Sequence, residues 1–216
     1  MAAGIIDHET GTRDMRRLGG LWQQMPVTGL LALTAAAAMA GVPFLNGFLS
    51  KEMLFAETLA LPDVGLARWI VPVVATAAGM FGVAYSTRFV HDVFFNGPPR
   101  IYDRVPHEPP RWMRIPVELL VLGCVAVGIA PALIVGPLLR VASGAVLGGP
   151  VPHFDLALWH GFNAPLAMSL VAFALGLALY FRMQRQGRLH AAQPGAISGH
   201  RVFDDIERGV VRFAGW

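Results

Sequence analysis

The chain is 216 residues long, 55% hydrophobic and only 14% charged, with a mean hydropathy of +0.53. Soluble domains carry about 25% charged residues, so the composition assigns the chain to a bilayer. The formal charge of +3 does not point to nucleic acid, because the arginines sit between apolar runs with no basic stripe interleaved with aromatics; the single cysteine, Cys124, excludes an intrachain disulfide or a Cys-based metal site.

Residues 1–25 read as a loop. They carry acids and arginines and have no apolar core, so they are not a signal peptide. About 20 apolar residues suffice to cross a membrane, and four such spans follow. The first, 26–59, is too long for one straight helix. Gly41, Val42 and Pro43, then Asn46 and Gly47, interrupt it, because proline removes a backbone donor and clashes one turn back while glycine relaxes the chain. The expectation is two half-helices, 26–40 and 48–59, with a break in residues 41–47. The second span covers 69–87. The third, 115–139, contains Pro131 and Pro137, and the fourth covers 156–181. Residues 203–213 alternate apolar and charged positions in a way that suits the start of an amphipathic surface helix. The fold class expected is all-α: a polytopic membrane protein with one discontinuous transmembrane helix.

Lys51 lies in this first span, and no charged residue occurs from Leu18 to Ser50. An ammonium at membrane depth costs about 3 kcal/mol or more and marks a functional site by default. Interrupted helices carrying buried ions are how transporters build sites near the mid-membrane. Lys51 is therefore the candidate proton relay; the plainer alternative is a lysine that snorkels to the interface. Glu52, the next residue, points about 100° away on a helix and is not expected to be its direct partner. Gly41, Pro43 and Gly47 form the break. Thr34, Asn46 and Ser50 are polar neighbours that could line a path, or simply satisfy backbone groups. Arg88, His91 and Asp92 end the second span and read as anchors, with a proton-path role as the lesser reading. His160, Asn163 and Glu118 read as interfacial.

Basic residues alternate between connections. Arg13, Arg16 and Arg17 precede the first span, and Arg88, Arg100, Arg104, Arg111 and Arg114 lie between the second and third. Arg182, Arg185, Arg188, Arg201, Arg208 and Arg212 follow the fourth, whereas the other two connections hold only Arg68 and Arg140. The positive-inside rule puts the N-terminal segment, the 88–114 connection and the tail in the cytoplasm, and Asp63 and Gly149 outside. No phosphate loop, nucleophile elbow or His/Cys metal spacing is present in the sequence.

Several runs resemble a known family. Gly4 to Asp14 with its Asp-His-x-Thr-Gly-Thr-Arg-Asp pattern, then Arg16-Arg17-Leu18-Gly19-Gly20-Leu21 and Met25-Pro26, is similar to the A-type subunit of the multisubunit monovalent cation/proton antiporters of the Mrp, Mnh or Pha type. Ala40 to Glu52 resembles that family's discontinuous helix, and Tyr85 to Phe89 with Phe94-Phe95 the end of its next helix. The Gly-Phe-x-Ser-Lys pattern at 47–51 is shared with the homologous L-type subunit of respiratory complex I. The resemblance implies an antiporter-like bundle of two inverted repeats, of which this chain covers the end of the second. It also implies that Lys51 ends a chain of buried charges, and that the activity is exchange of Na⁺ or K⁺ for protons. It implies no cofactor, and as partners the other subunits of a hetero-oligomeric complex in a bacterial inner membrane, both ends of this segment being cytoplasmic. The chain reads as a piece of a longer protein. The alternatives are an L-type proton-pumping subunit or a non-conducting membrane scaffold.

Overall fold

Backbone chemistry places the first break where the sequence predicts it. The computed structural model describes residues 1–62, 65–97, 102, 104–149, 156, 161–187, 203 and 206–211. Helix α2 spans Pro26–Ala40 and α3 spans Asn46–Leu59. Gly41 ends α2 in the left-handed region, at φ 81°. Its N–H bonds the Ala38 carbonyl at 3.1 Å and the Val42 N–H bonds the Ala37 carbonyl at 3.0 Å, the paired bonds of a Schellman C-cap. The chain then turns through Pro43 and Phe44, closed by Leu45 N–H to the Val42 carbonyl at 3.3 Å. Proline pre-sets the first central position of such a turn, and Phe44 takes the second at φ 67°. That conformation costs an L-residue about 1–2 kcal/mol. Asn46 and Gly47, read as part of the break, are instead the first two residues of α3, so the non-helical stretch is residues 41–45.

The remaining helices are α4 (Ala67–Val90), continued by a wide turn of π type over His91–Phe95, α5 (Arg111–Ile129), α6 (Pro131–Ile134), α7 (Gly136–Leu147) and α8 (Ala164–Arg185). Among the described residues three segments are long and apolar enough to cross a membrane: Ala67–Phe95, Arg111–Ile129 and Ala164–Arg185. No strand occurs among the described residues.

Three expectations need correcting. Residues 1–25 are not all loop: α1 covers Ala2–Thr10 and buries Ile5, Ile6, Glu9 and Thr10 along one side. Ile6 packs with Leu18, Leu21, Ala32, Val93 and Phe94, and Ile5 with Met25 and Val117. The third span is not one helix over 115–139. Ala130 sits at φ −131°, ψ 60°, because the residue before a proline is driven out of the helical region, and α7 opens with Pro137 in its first turn. The fourth helix begins at Ala164 rather than 156. There the Asn163 side chain accepts the Leu166 N–H at 2.9 Å and Pro165 occupies the first turn.

The connection before α5 is stapled to the N-terminal segment. Glu108 Oε1 accepts the Val27 and Thr28 N–H groups at 2.6 and 3.2 Å, and Oε2 accepts the Thr28 hydroxyl at 3.0 Å, so a remote carboxylate caps α2. Buried Glu9 meets His8 at 3.0 Å and His107 at 2.7 Å, and an Arg104 N–H donates to the His8 carbonyl at 3.2 Å. The arginine-bearing segments around 13–17 and 104–114 thus share one end of the bundle. Asp63, Arg100, His160, Arg188, Arg201 and Arg212 lie outside the described residues, as do Asp204, Asp205 and Phe213 of the expected amphipathic stretch. Residues 1–182 form one compact unit and 183–216 another; in the second, Phe203 and 206–211 are helical, with Phe203, Ile206, Val210 and Val211 exposed.

Candidate functional site

The site grows out of the end of α2. A helix leaves its last carbonyls without intrahelical donors. The cap uses those of Ala37 and Ala38, and the Ala40 carbonyl accepts from Lys51 Nζ at 3.2 Å. Lys51 lies on the second turn of α3, so the ammonium reaches back across the break to the negative end of the α2 dipole. Two glycines make room for its stem. A Cβ on Gly41 would stand 2.9 Å from Lys51 Cδ, and one on Gly79 of α4 would stand 3.0 Å from Cε. The Phe55 ring lies 5.8 Å from Nζ, within cation–π range.

The half-helices touch at their closest through Gly47, where any Cβ would run into the Ala38 carbonyl. Gly128 of α5 lies equally tightly against Phe44 and Leu45. Backbone that is not helical is tolerated at membrane depth only where protein covers it; α5 covers the Phe44 and Leu45 backbone on one side, while the side chains of Pro43 and Phe44 stay exposed.

Thr34 donates to the Leu30 carbonyl at 2.9 Å and Ser50 to the Gly47 carbonyl at 3.2 Å. Both hydroxyls are satisfied on their own helices. Among the described residues neither these nor Asn46 is hydrogen-bonded to Lys51, and no acidic side chain forms an ion pair with it. A carbonyl partner, unlike a carboxylate, does not require the nitrogen to be charged, since an amine N–H serves it as well. The geometry therefore holds Lys51 in place in either protonation state.

Two arrangements escaped the reading of the sequence. Glu52 is buried, and its Oε1 accepts from Asn163 Nδ2 at 3.2 Å, so Asn163 both caps α8 and ties it to α3. Its position directly before Ala164-Pro165 is the helix-start signal that could have marked it. At the other end of α4, Asp92 is almost fully buried. It accepts the Tyr180 hydroxyl at 2.6 Å and lies 3.5 Å from Arg88 Nε, and His91 Nδ1 is 2.8 Å from the same hydroxyl. Tyr180 stands 88 residues away in an apolar helix, and nothing local in the sequence singles it out.

Comparison with known proteins agrees with the fold. A family model described as NADH:quinone oxidoreductase/Mrp antiporter, TM, matches residues 1–79, which hold α1, the broken helix and Lys51. A probable K⁺/H⁺ antiporter A/B subunit of Rhizobium meliloti is 53% identical over 209 residues, 95% of this chain. The chain belongs to the Mrp antiporter family, in its A-type branch. A Na⁺/H⁺ antiporter A subunit of Alkalihalophilus pseudofirmus is 38% identical over 195 residues, 85% of this chain. The solved structure of the Mrp complex from Dietzia sp. superposes with a TM-score of 0.74 at 29% identity over 99% of this chain. The chain spans 21% of the first of these relatives, 24% of the second and 23% of the solved chain, so it corresponds to about a quarter of the length of these relatives.

Proposed function

We propose that this segment supplies a proton-relay step to a multisubunit antiporter that expels Na⁺ or K⁺ in exchange for protons, with Lys51 as the relay group. The observation that carries the reading is the lysine bound to the terminal carbonyl of a broken helix, 3.2 Å from Ala40 O, held by glycines and an aromatic ring and by no acid among the described residues. Such a group can give up and regain a proton without losing its position. The names of the relatives, K⁺/H⁺ and Na⁺/H⁺ antiporter subunits, supply the ions.

The partners would be the companion subunits of a membrane complex, in a bacterial inner membrane. The shared basic end of the bundle would face the cytoplasm. A cysteine placed at Arg104 should then label from the cytoplasmic side; outside-only labelling overturns the orientation.

The test is exchange in everted vesicles carrying the complete complex. Addition of Na⁺ or K⁺ should dissipate an imposed pH gradient, and Lys51→Ala should abolish the response while the complex still assembles. Proton movement that requires a quinone and ignores both cations would favour the respiratory branch of the family instead.

A further inference from the structure

Glu9 is a buried carboxylate, 4% exposed, that the proposed relay does not use. It lies on the covered side of α1, and a histidine meets each of its oxygens. His8 Nδ1 stands 3.0 Å from Oε1 and His107 Nδ1 stands 2.7 Å from Oε2. His8 is its neighbour in α1; His107 belongs to the connection that leads into α5. Both imidazoles reach solvent, with 57% and 74% of their side chains exposed. A buried carboxylate is costly unless charges or donors meet it, and imidazole is the side chain that changes charge between about pH 5 and 8. Protonated, the two rings set two cations against one buried anion. As pH rises the rings discharge, and each then offers at most a single neutral N–H.

The connection depends on such contacts. Residues 105–110 form no helix or strand and include Pro106, Pro109 and Pro110, which fix their own backbone and supply no N–H. Side chains hold the segment instead. The Tyr102 hydroxyl donates to the Gly19 carbonyl at 2.7 Å and accepts the Gly19 N–H at 3.0 Å. His107 meets Glu9, and Glu108, the next residue, caps α2 at Val27 and Thr28. The cap of the broken helix's first half thus stands one residue from the histidine contact. The far end of α2 is the Ala40 carbonyl that Lys51 holds.

We infer that Glu9, His8 and His107 form a proton-operated latch: when protonated it holds the connection, and with it the Glu108 cap of α2, against α1, and when deprotonated it lets both loosen. Each imidazole gains or loses one proton, exchanged with the solvent its ring already touches, and no other bond changes. The other charged groups at the cluster are already engaged. From the connection, Arg104 Nη1 donates to the His8 carbonyl at 3.2 Å. From α1, Asp7 pairs with Arg13 at 2.7 Å. Glu108 lies 3.8 Å from Arg114 of α5, which also holds Glu118 at 2.7 Å. The first turn of α2, Pro26 to Gly29, carries no charge. The hold is complete in acid, fades as pH rises through the titration of the histidines, and biases α2 as the responding element. It does not depend on Lys51 being the relay.

The test is amide hydrogen exchange on the complete purified complex at about pH 6 and about pH 8.5, corrected for the intrinsic pH dependence of exchange. Protection of residues 104–108, Val27 and Thr28 should be about threefold greater at the lower pH, a modest factor because the histidines are solvent-exposed. His107→Gln keeps a donor that never charges, and His107 is exposed enough that folding is not at stake; the pH difference should shrink. In Glu9→Gln, which removes the anion, it should vanish. Tyr102→Phe, which cuts the Gly19 contact, should lower protection equally at both pH values. A wild-type complex with no pH difference, or one that persists in His107→Gln and Glu9→Gln, overturns the latch. Cation-dependent proton exchange in everted vesicles reads its regulatory effect: His107→Gln should alter the pH profile. An unaltered profile overturns the regulatory role, whatever the protection shows.

Discussion

Gly41 carries two separate demands, and Gly41→Ala should expose both. Its backbone sits at φ 81°, where an L-residue costs about 1–2 kcal/mol. Its missing side chain makes room for Lys51: the added Cβ would stand 2.9 Å from Cδ and 3.5 Å from Nζ. A flexible lysine gives way, but doing so breaks its bond to the Ala40 carbonyl, and a hydrogen bond to a charged group contributes about 1.5–3 kcal/mol. The sum is roughly 2.5–5 kcal/mol. Stability of the purified complex in detergent would be measured for Gly41→Ala, Lys51→Ala and the double variant. With Lys51 already truncated the new methyl meets nothing of its side chain, so the second cost vanishes and only the backbone term of about 1–2 kcal/mol remains. Gly123→Ala is the control, since a Cβ there meets nothing within 4 Å; it should be neutral or stabilise the helix by up to about 1 kcal/mol. An equal cost for Gly41→Ala in both Lys51 backgrounds would refute the packing argument.

Glu108→Ala should destabilise the start of α2 by about 1–2 kcal/mol, visible as faster hydrogen exchange at Val27 and Thr28, whose N–H groups it now accepts. Asn163→Ala should cost about 1–3 kcal/mol in the melting of the complex, because it removes the α8 cap and one partner of a buried carboxylate. Asp14 is held at a pKa of about 2, chiefly by the Arg16 side chain and then by its backbone N–H. A depressed carboxylate stabilises above its unfolded value of about 3.9, and the benefit is lost as pH falls towards 2. The pair is exposed, so Asp14→Asn should cost less than about 1 kcal/mol at pH 7, and titration of its carboxylate should show it ionised at pH 4.

What the sequence disclosed was local. Gly41 and Pro43 carry the break in their own backbone preferences, whereas Gly47, expected to share it, is helical and serves the close approach to Ala38; Lys51 stands out by charge against an apolar background. The features that stayed hidden depend on partners far along the chain. Helix α1 has little periodicity of its own; it is helical because Ile5 and Ile6 find cover on Leu18, Met25, Val93 and Val117. Glu108 reads as an ordinary loop acid until the fold brings it to the N–H groups of α2, 81 residues earlier. Asp92 reads as an anchor until Tyr180 closes over it. Pro131 was visible, but a proline alone does not say whether a helix ends: Pro72 lies inside α4 and Pro116 inside α5, whereas Ala130, before Pro131, leaves the helix altogether.

The central claim is that Lys51 works by exchanging a proton and not by carrying a fixed charge. Lys51→Arg in the complete complex separates the two, because guanidinium keeps the charge and the donors but does not deprotonate at accessible pH. Initial rates of Na⁺- and K⁺-dependent proton exchange would be measured in everted vesicles at several pH values, with assembly checked on the same membranes. A proton relay predicts that Lys51→Arg is as inactive as Lys51→Ala at every pH. Exchange restored by arginine would contradict the account and leave Lys51 a structural cation at the break.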